Sequence, residues 1–332
     1  MKMKKIMNAP ESLVIDTIRG YTAAHADIIR QVPGTHMVER AAPKEKGKVR
    51  FLMANGAGHE PAVMCWVGKG MFDMNIPGEI FTCASSAYIF EGIRRLGQDG
   101  PVLVAIQNHA GDVLNAQMAI DDALEEGIDV HSVLFYDDIA SAPKSQIAER
   151  RGIGGMLFYA KTVGAMAERG DGIEALTAMF EQVRDRTRTY AFAVTNCTHP
   201  VSGLDMFSEL PEDMIELGMG VHGEGGGGRI KLPTARELAA IVADKLIEDG
   251  EYRPGDSLLA MVNGSGGMTM MEMSIFYGAL QDYLSSKGMH VVGCKVGNYL
   301  TTQELSGASV SLCAVTEEML SLWRAPCEVS SF

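Results

Sequence analysis

Short apolar runs alternate with longer amphipathic stretches along nearly the whole chain, and this alternation constrains the fold more than any other feature. The strand-like runs are Val49–Ala54, Val102–Gln107, Val130–Tyr136, Tyr190–Thr195, Leu258–Val262, His290–Val296 and Val310–Val315. Helical periodicity predicts helices over Glu11–Gln31, Ser86–Leu96, Val113–Glu126, Gly155–Arg169, Gly172–Thr187, Thr234–Glu248 and Thr269–Lys287. In the third of these, Val113, Ala116, Ile120 and Leu124 form one apolar stripe, as expected of a surface helix packed on a sheet. The pattern predicts α/β layers, with a mostly parallel sheet in the first half. Two consecutive helices precede residues 185–190, and the element spacing lengthens afterwards, so the expected domains are 1–186 and 187–332. Residues 198–232 read as loop-rich, with Pro200, Gly203, Pro211 and a glycine run from Gly223 to Gly228 broken by Glu224.

Composition narrows the function. Hydrophobic residues make up 46% and charged residues 21%, a globular balance that argues against disorder. Lys and Arg total 29 against 42 Asp and Glu, a net charge of −13 that repels a phosphate backbone and excludes nucleic acid as a partner. The one basic cluster near the start, Lys2, Lys4 and Lys5, is too short to override that field. No apolar run is long enough to span a bilayer, and Glu11 interrupts the start before any signal-like apolar core, so a cytoplasmic protein without membrane contact is expected. Six scattered cysteines without a CxxC pair read as buried, reduced thiols, and the histidines lack metal-ligand spacing, so no metal site is expected. The 22 methionines read as fillers of irregular core gaps.

Three loops carry chemistry-bearing residues. In Ala54-Asn55-Gly56-Ala57-Gly58-His59-Glu60-Pro61, at the end of a strand, small residues let the backbone approach a ligand, and His59 is suited to acid–base work near neutral pH. The same residues also suit a tight turn with a structural histidine. In Gln107-Asn108-His109-Ala110-Gly111-Asp112, Asp112 stands directly before the amphipathic helix, as a cap for its N–H groups, as a base for a substrate hydroxyl, or as both. In Val221-His222-Gly223-Glu224, a histidine adjoins the glycine run; an imidazole there is a nucleophile for a carbonyl, although a flexible connection looks alike. No P-loop, nucleophile elbow, dinucleotide fingerprint or kinase signature is present.

Taken in order, NGAGHEP, VGKGMF, PGEIFT, NHAGD, ERRGIGG and GMGVHGE, followed by LLAMVNGSGG, VGNYLTT and LWRAP, resemble the substrate-binding subunit of dihydroxyacetone kinase over essentially the whole chain. The resemblance implies two α/β domains, a mostly parallel sheet in the first and a smaller mixed sheet in the second. It implies that His222 binds a short ketose as a covalent hemiaminal. His59 and Asp112 then flank the substrate hydroxyl, and Gly56, Ala57, Gly58 and Gln107 line the site. It also implies that the ATP, or a tightly held ADP recharged by a phosphotransferase-system protein, sits with magnesium on a separate nucleotide-carrying subunit, and that the chain forms a homodimer without a cofactor of its own. Two departures stand out. Gln107 occupies a position where the family commonly carries Lys, and Ala84 and Ser86 stand where it commonly carries prolines. A neutral amide lacks the cation's help to a phosphoryl group in transit, which keeps open a non-catalytic ketose-binding regulator, or a kinase for a four-carbon ketose such as erythrulose.

Overall fold

The computed structural model describes residues 4–207 and 209–332. Lys2 of the basic cluster lies outside the described residues. The chain divides into two compact units assembled from non-contiguous stretches. The first unit holds 6–135, 157–182 and 319–332; the second holds 136–156 and 183–318, with the described N-terminal residues up to Lys5.

In the first unit, α1 (Leu13–Ala24), β1 (Ile29–Gln31), β2 (Val38–Arg40), β3 (Arg50–Ala57), β4 (Met74–Ile80), α2 (Ser86–Gly97), β5 (Val102–Gln107), α3 (Ala110–Glu125) and β6 (Val130–Phe135) follow one another. Most of α4 (Met156–Arg169) and α5 (Ile173–Arg186) completes it. The sheet runs β1-β2-β4-β3-β5-β6; β3 is parallel to β4 and β5, and β5 to β6, whereas β1 and β2 pair antiparallel at the edge. Strand alternation gives each face its own cover. Leu52, Ala54, Val104 and Ile106 pack with Ile89, Ile93, Ala116 and Ile120 of α2 and α3. Phe51 meets Tyr159 of α4, and Phe135 meets Tyr159 and Phe180, the latter on α5. Burial on both faces explains why β5 reads as a continuous apolar run.

The second unit contains β7 (Thr187–Ala193), β8 (Met214–Leu217), β9 (Gly228–Lys231), α6 (Ala235–Gly250), β10 (Ser257–Gly264), α7 (Met270–Ser286), β11 (His290–Gly297) and β12 (Gly307–Ala314); α8 (Glu317–Arg324) follows and continues into the first unit. Its sheet is ordered β11-β10-β12-β7-β8-β9, with β10 and β11 parallel and the other neighbours antiparallel. It is mixed as expected, but with six strands it is no smaller in strand number than the first. Leu238, Val242, Leu246, Phe276, Leu280 and Leu284 of α6 and α7 bury Leu258, Val262, Val310 and Leu312. Both helices begin at a threonine whose side chain and a glutamate three residues on form a capping box, Thr234 with Glu237 and Thr269 with Glu272.

Several elements differ from the sequence reading. The helix expected over Glu11–Gln31 ends at Ala24, because the β-branched Ile29 enters an edge strand that pairs with β2. Helix α3 starts at Ala110, so Asp112 is its third residue and His109 takes the cap position. On that helix Leu124 is exposed; small Ala116, Ala119 and Ala123 lie beside Ile120 on the buried face. The loop-rich stretch 198–232 contains β8 and β9. Among the cysteines, Cys65, Cys197 and Cys313 are buried, but Cys294 is exposed on the edge strand β11. Among the described residues, no helix is long and apolar enough to cross a membrane.

Candidate functional site

In the first unit, parallel neighbours β3 and β5 deliver their following loops to the same edge of the sheet. The pairing of β3 with β4 shifts register between Asn55 and Ala57, where the strand turns into the GHEP loop. A side chain at Gly56 would stand 3.0 Å from the Thr82 amide nitrogen, and one at Gly58, whose φ is +99°, would lie 2.7 Å from the Phe81 ring. Both glycines therefore admit a close approach that no other residue permits. Ala57 closes the cradle by accepting the Phe81 N–H at 2.7 Å.

His59 is buried and its ring lies 5.0 Å from that of Phe81, tilted by 57°. Phe81 itself holds a left-handed φ of +54°, a strained state for a bulky residue that the surrounding loops must impose. Behind His59, Glu60 accepts the Gly58 N–H at 3.0 Å. Burial pushes the Glu60 carboxyl up, against the lowering effect of the Gly58 and Glu60 N–H groups. At the end of β5, Gln107 is buried, and its carbonyl accepts the His109 N–H at 2.8 Å. Half-buried Asp112 sits in the first turn of α3, where the helix dipole favours its negative charge. Cys83 packs against the same turn: a Cβ on Gly111 would lie 2.7 Å from its sulfur, and Asn115 Nδ2 donates to that sulfur at 3.0 Å. The structure thus brings the FTC segment against both the GHEP and NHAGD loops.

His222 belongs to the second unit. Its loop is tied down on several sides. Thr302 Oγ1 donates to the Val221 carbonyl at 2.9 Å, the Gly220 N–H donates to the Glu224 carbonyl at 2.8 Å, and the His222 N–H donates to Glu224 Oε2 at 2.9 Å. Glycine is required at 223, where φ is +86° and a Cβ would fall 1.6 Å from the Phe207 ring. Glu224 Oε1 lies 3.4 Å from His222 Nδ1. Arg151 bridges buried Asp138, at 2.8 Å, and Glu224, at 3.5 Å. Burial opposes ionisation of Glu224, but hydrogen bonds from His222 and from the Glu224 backbone N–H, with the Arg151 cation behind them, outweigh it and hold the carboxyl well below the usual carboxylate range. A carboxylate facing Nδ1 selects the tautomer with its proton there and leaves the ring lone pair on Nε2, the atom suited to attack a carbonyl.

The sequence reading named His222 but not Glu224, although the two share the HGE segment. Arg151 lies in ERRGIGG and Phe81 in PGEIFT. Arginine adjacency and a left-handed phenylalanine leave no mark in a periodicity pattern.

The Dak1 domain matches residues 19–331. The chain is 35% identical over 316 residues to the dihydroxyacetone-binding subunit DhaK of PTS-dependent dihydroxyacetone kinase 1 from Listeria innocua, covering 95% of both chains. It is 34% identical over 334 residues to an L-erythrulose kinase from Pectobacterium atrosepticum, of which it spans 56%. Among solved structures, the dihydroxyacetone kinase operon co-activator Dha-DhaQ superposes with a TM-score of 0.89 at 28% identity, over 95% of this chain and 97% of that one.

Proposed function

This chain is a member of the Dak1 domain family, and from that premise we propose that it captures a short ketose covalently on His222 and presents it for phosphorylation by a separate nucleotide-carrying subunit. The Nε2 lone pair adds to the carbonyl carbon, the C=O π pair moves onto oxygen, and that oxygen gains a proton from water as the Nδ1 proton leaves by way of Glu224, giving a neutral tetrahedral hemiaminal. Polyols such as glycerol lack the electrophilic carbon and are rejected chemically. The tether fixes the terminal hydroxyl, and such positioning lowers a barrier by several kcal/mol, of the order of 7 or more at best. Asp112 or His59 removes the hydroxyl proton as the oxygen attacks the donor phosphate. The Gly56–Gly58 backbone and Gln107 line the ketose. Nucleotide and magnesium belong to the partner, because no phosphate-binding motif occurs in this sequence. The chain acts as a cytoplasmic homodimer, its donor being ATP or an ADP recharged by a phosphocarrier.

The observation that carries this reading is the near-complete, end-to-end likeness to a chain named as a dihydroxyacetone-binding subunit. Reconstitution tests it. The chain with ATP, magnesium and dihydroxyacetone should show no turnover, and turnover should appear when a nucleotide-carrying subunit is added. Robust turnover by the chain alone contradicts the division of labour. A second reading, a ketose-binding regulator, is favoured by the likeness to an operon co-activator and by Gln107. It predicts ketose capture without turnover under any partner. Erythrulose in place of dihydroxyacetone distinguishes the four-carbon alternative.

A further inference from the structure

A cavity of about 200 Å³ lies in the first unit at the amino-terminal end of β3, the end opposite the GHEP loop. The strand separates the two places by about 20 Å. Five cations line the cavity: Arg30, Arg40, Lys44, Arg50 and Arg95. The carboxylates beside them are already claimed. Glu39 accepts from Arg95 Nε at 2.7 Å and from Arg30 Nε at 2.8 Å. Asp73 holds Lys44 Nζ at 2.6 Å and Arg40 Nη1 at 3.3 Å, and Glu168 takes Arg40 as well at 2.7 Å. Asp99 pairs with Lys46 at 3.3 Å near the surface.

Arg50 is left over. It is 3% exposed, and among the described residues no carboxylate pairs with it. Its Nη2 donates to the main-chain carbonyls of Glu45 at 3.0 Å and Asp99 at 3.4 Å, while its buried Nε finds no acceptor. A buried guanidinium without a counter-charge is costly to the fold, and an anion in the cavity that Arg50 lines supplies one. The lining itself carries five cations against three carboxylates, Glu39, Asp73 and Asp99, with Glu168 reaching Arg40 from outside it, in a chain whose overall charge is −13. That local reversal of sign suits a dianion, and the planar fork of arginine matches phosphate geometry.

We propose that this cavity is a binding site for a phosphate group, free or carried on a small monoester, with Arg50 as its central donor. The site is separate from the ketose-binding loops and does not depend on their function.

Calorimetric titration of the full chain tests it, with inorganic phosphate and glycerol 3-phosphate compared against chloride at matched ionic strength. Saturable phosphate binding is expected, weakened about 10-fold or more in Arg50→Gln. Arg94→Ala, an exposed arginine outside the cavity, should leave it unchanged. Tighter binding of the monoester identifies a phosphorylated metabolite as the ligand, and the reverse identifies inorganic phosphate. If Arg50→Gln fails to fold, Arg95→Ala at the half-exposed rim weakens binding instead, and tungstate soaked into crystals of the unaltered protein should lie against Arg50. No saturable binding above chloride, binding indifferent to both variants, or tungstate seated elsewhere overturns the proposal.

Discussion

Replacing Glu224 by glutamine removes one negative charge beside His222 and keeps the length of the side chain. The wild-type carboxyl is held below its ordinary value, so at neutral pH the comparison is between an anion and a neutral amide. The variant retains an oxygen for the His222 N–H, which donates at 2.9 Å in the wild type, so the loop has reason to stay in place. What changes is the partner of Nδ1, 3.4 Å from Oε1: an amide nitrogen turned toward it favours the opposite tautomer and takes the lone pair away from Nε2. A hydrogen bond to a charged group contributes about 1.5–3 kcal/mol when buried. With the two side chains 32% and 38% exposed, solvent screening reduces this to about 1–2 kcal/mol. The hemiaminal should therefore form about 5–30-fold less readily. Titration with carbonyl-labelled dihydroxyacetone, following the conversion of the carbonyl carbon to a tetrahedral one by NMR, reads this directly. Equal affinity in Glu224→Gln and wild type, with equal melting temperatures, refutes the tautomer argument.

Asp112→Asn should leave ketose capture intact while slowing phosphoryl transfer in the reconstituted system by about 10²–10⁴; unchanged turnover returns Asp112 to a purely helix-stabilising role. Burial pushes the Asp137 carboxyl up to about 7, against the hydrogen bonds of Thr189, Ile153 and Gly155. Because the folded state holds this proton more tightly than the unfolded one, the contribution to stability is fully present below an ordinary aspartate pKa of about 4 and is lost as pH rises through about 7. Asp137→Asn should flatten that part of the melting-temperature profile, and a profile of unaltered slope contradicts the assignment.

The sequence showed the layers better than the edges. β5 is found where its apolar run stands, and Thr234 and Thr269, the expected helix starts, are the caps of α6 and α7. β4 was hidden because Pro77 and Gly78 interrupt a strand that is nonetheless buried through most of its length. β1 and β2, three residues each, and β8 and β9, embedded among glycines, are too short for a period to register. The strand-end glycines and His59 do stand at and just beyond the end of a parallel strand, because the apolar run Val49–Ala54 already marks that strand in the sequence. Asp112 was placed one turn too early because Ala110 and Gly111 read as loop, although they open the helix. Arg50 at the head of β3 carries no sequence signal, since a charged residue at a strand start is ordinary and only the fold shows it buried.

Intact-protein mass spectrometry with dihydroxyacetone, erythrulose and glycerol tests the central claim most directly. The account predicts an added mass equal to the whole ketose with no loss of water, no adduct with glycerol, and disappearance of the signal in a folded His222→Ala variant. An adduct that survives His222→Ala, or one that has lost water as a lysine Schiff base would, contradicts it.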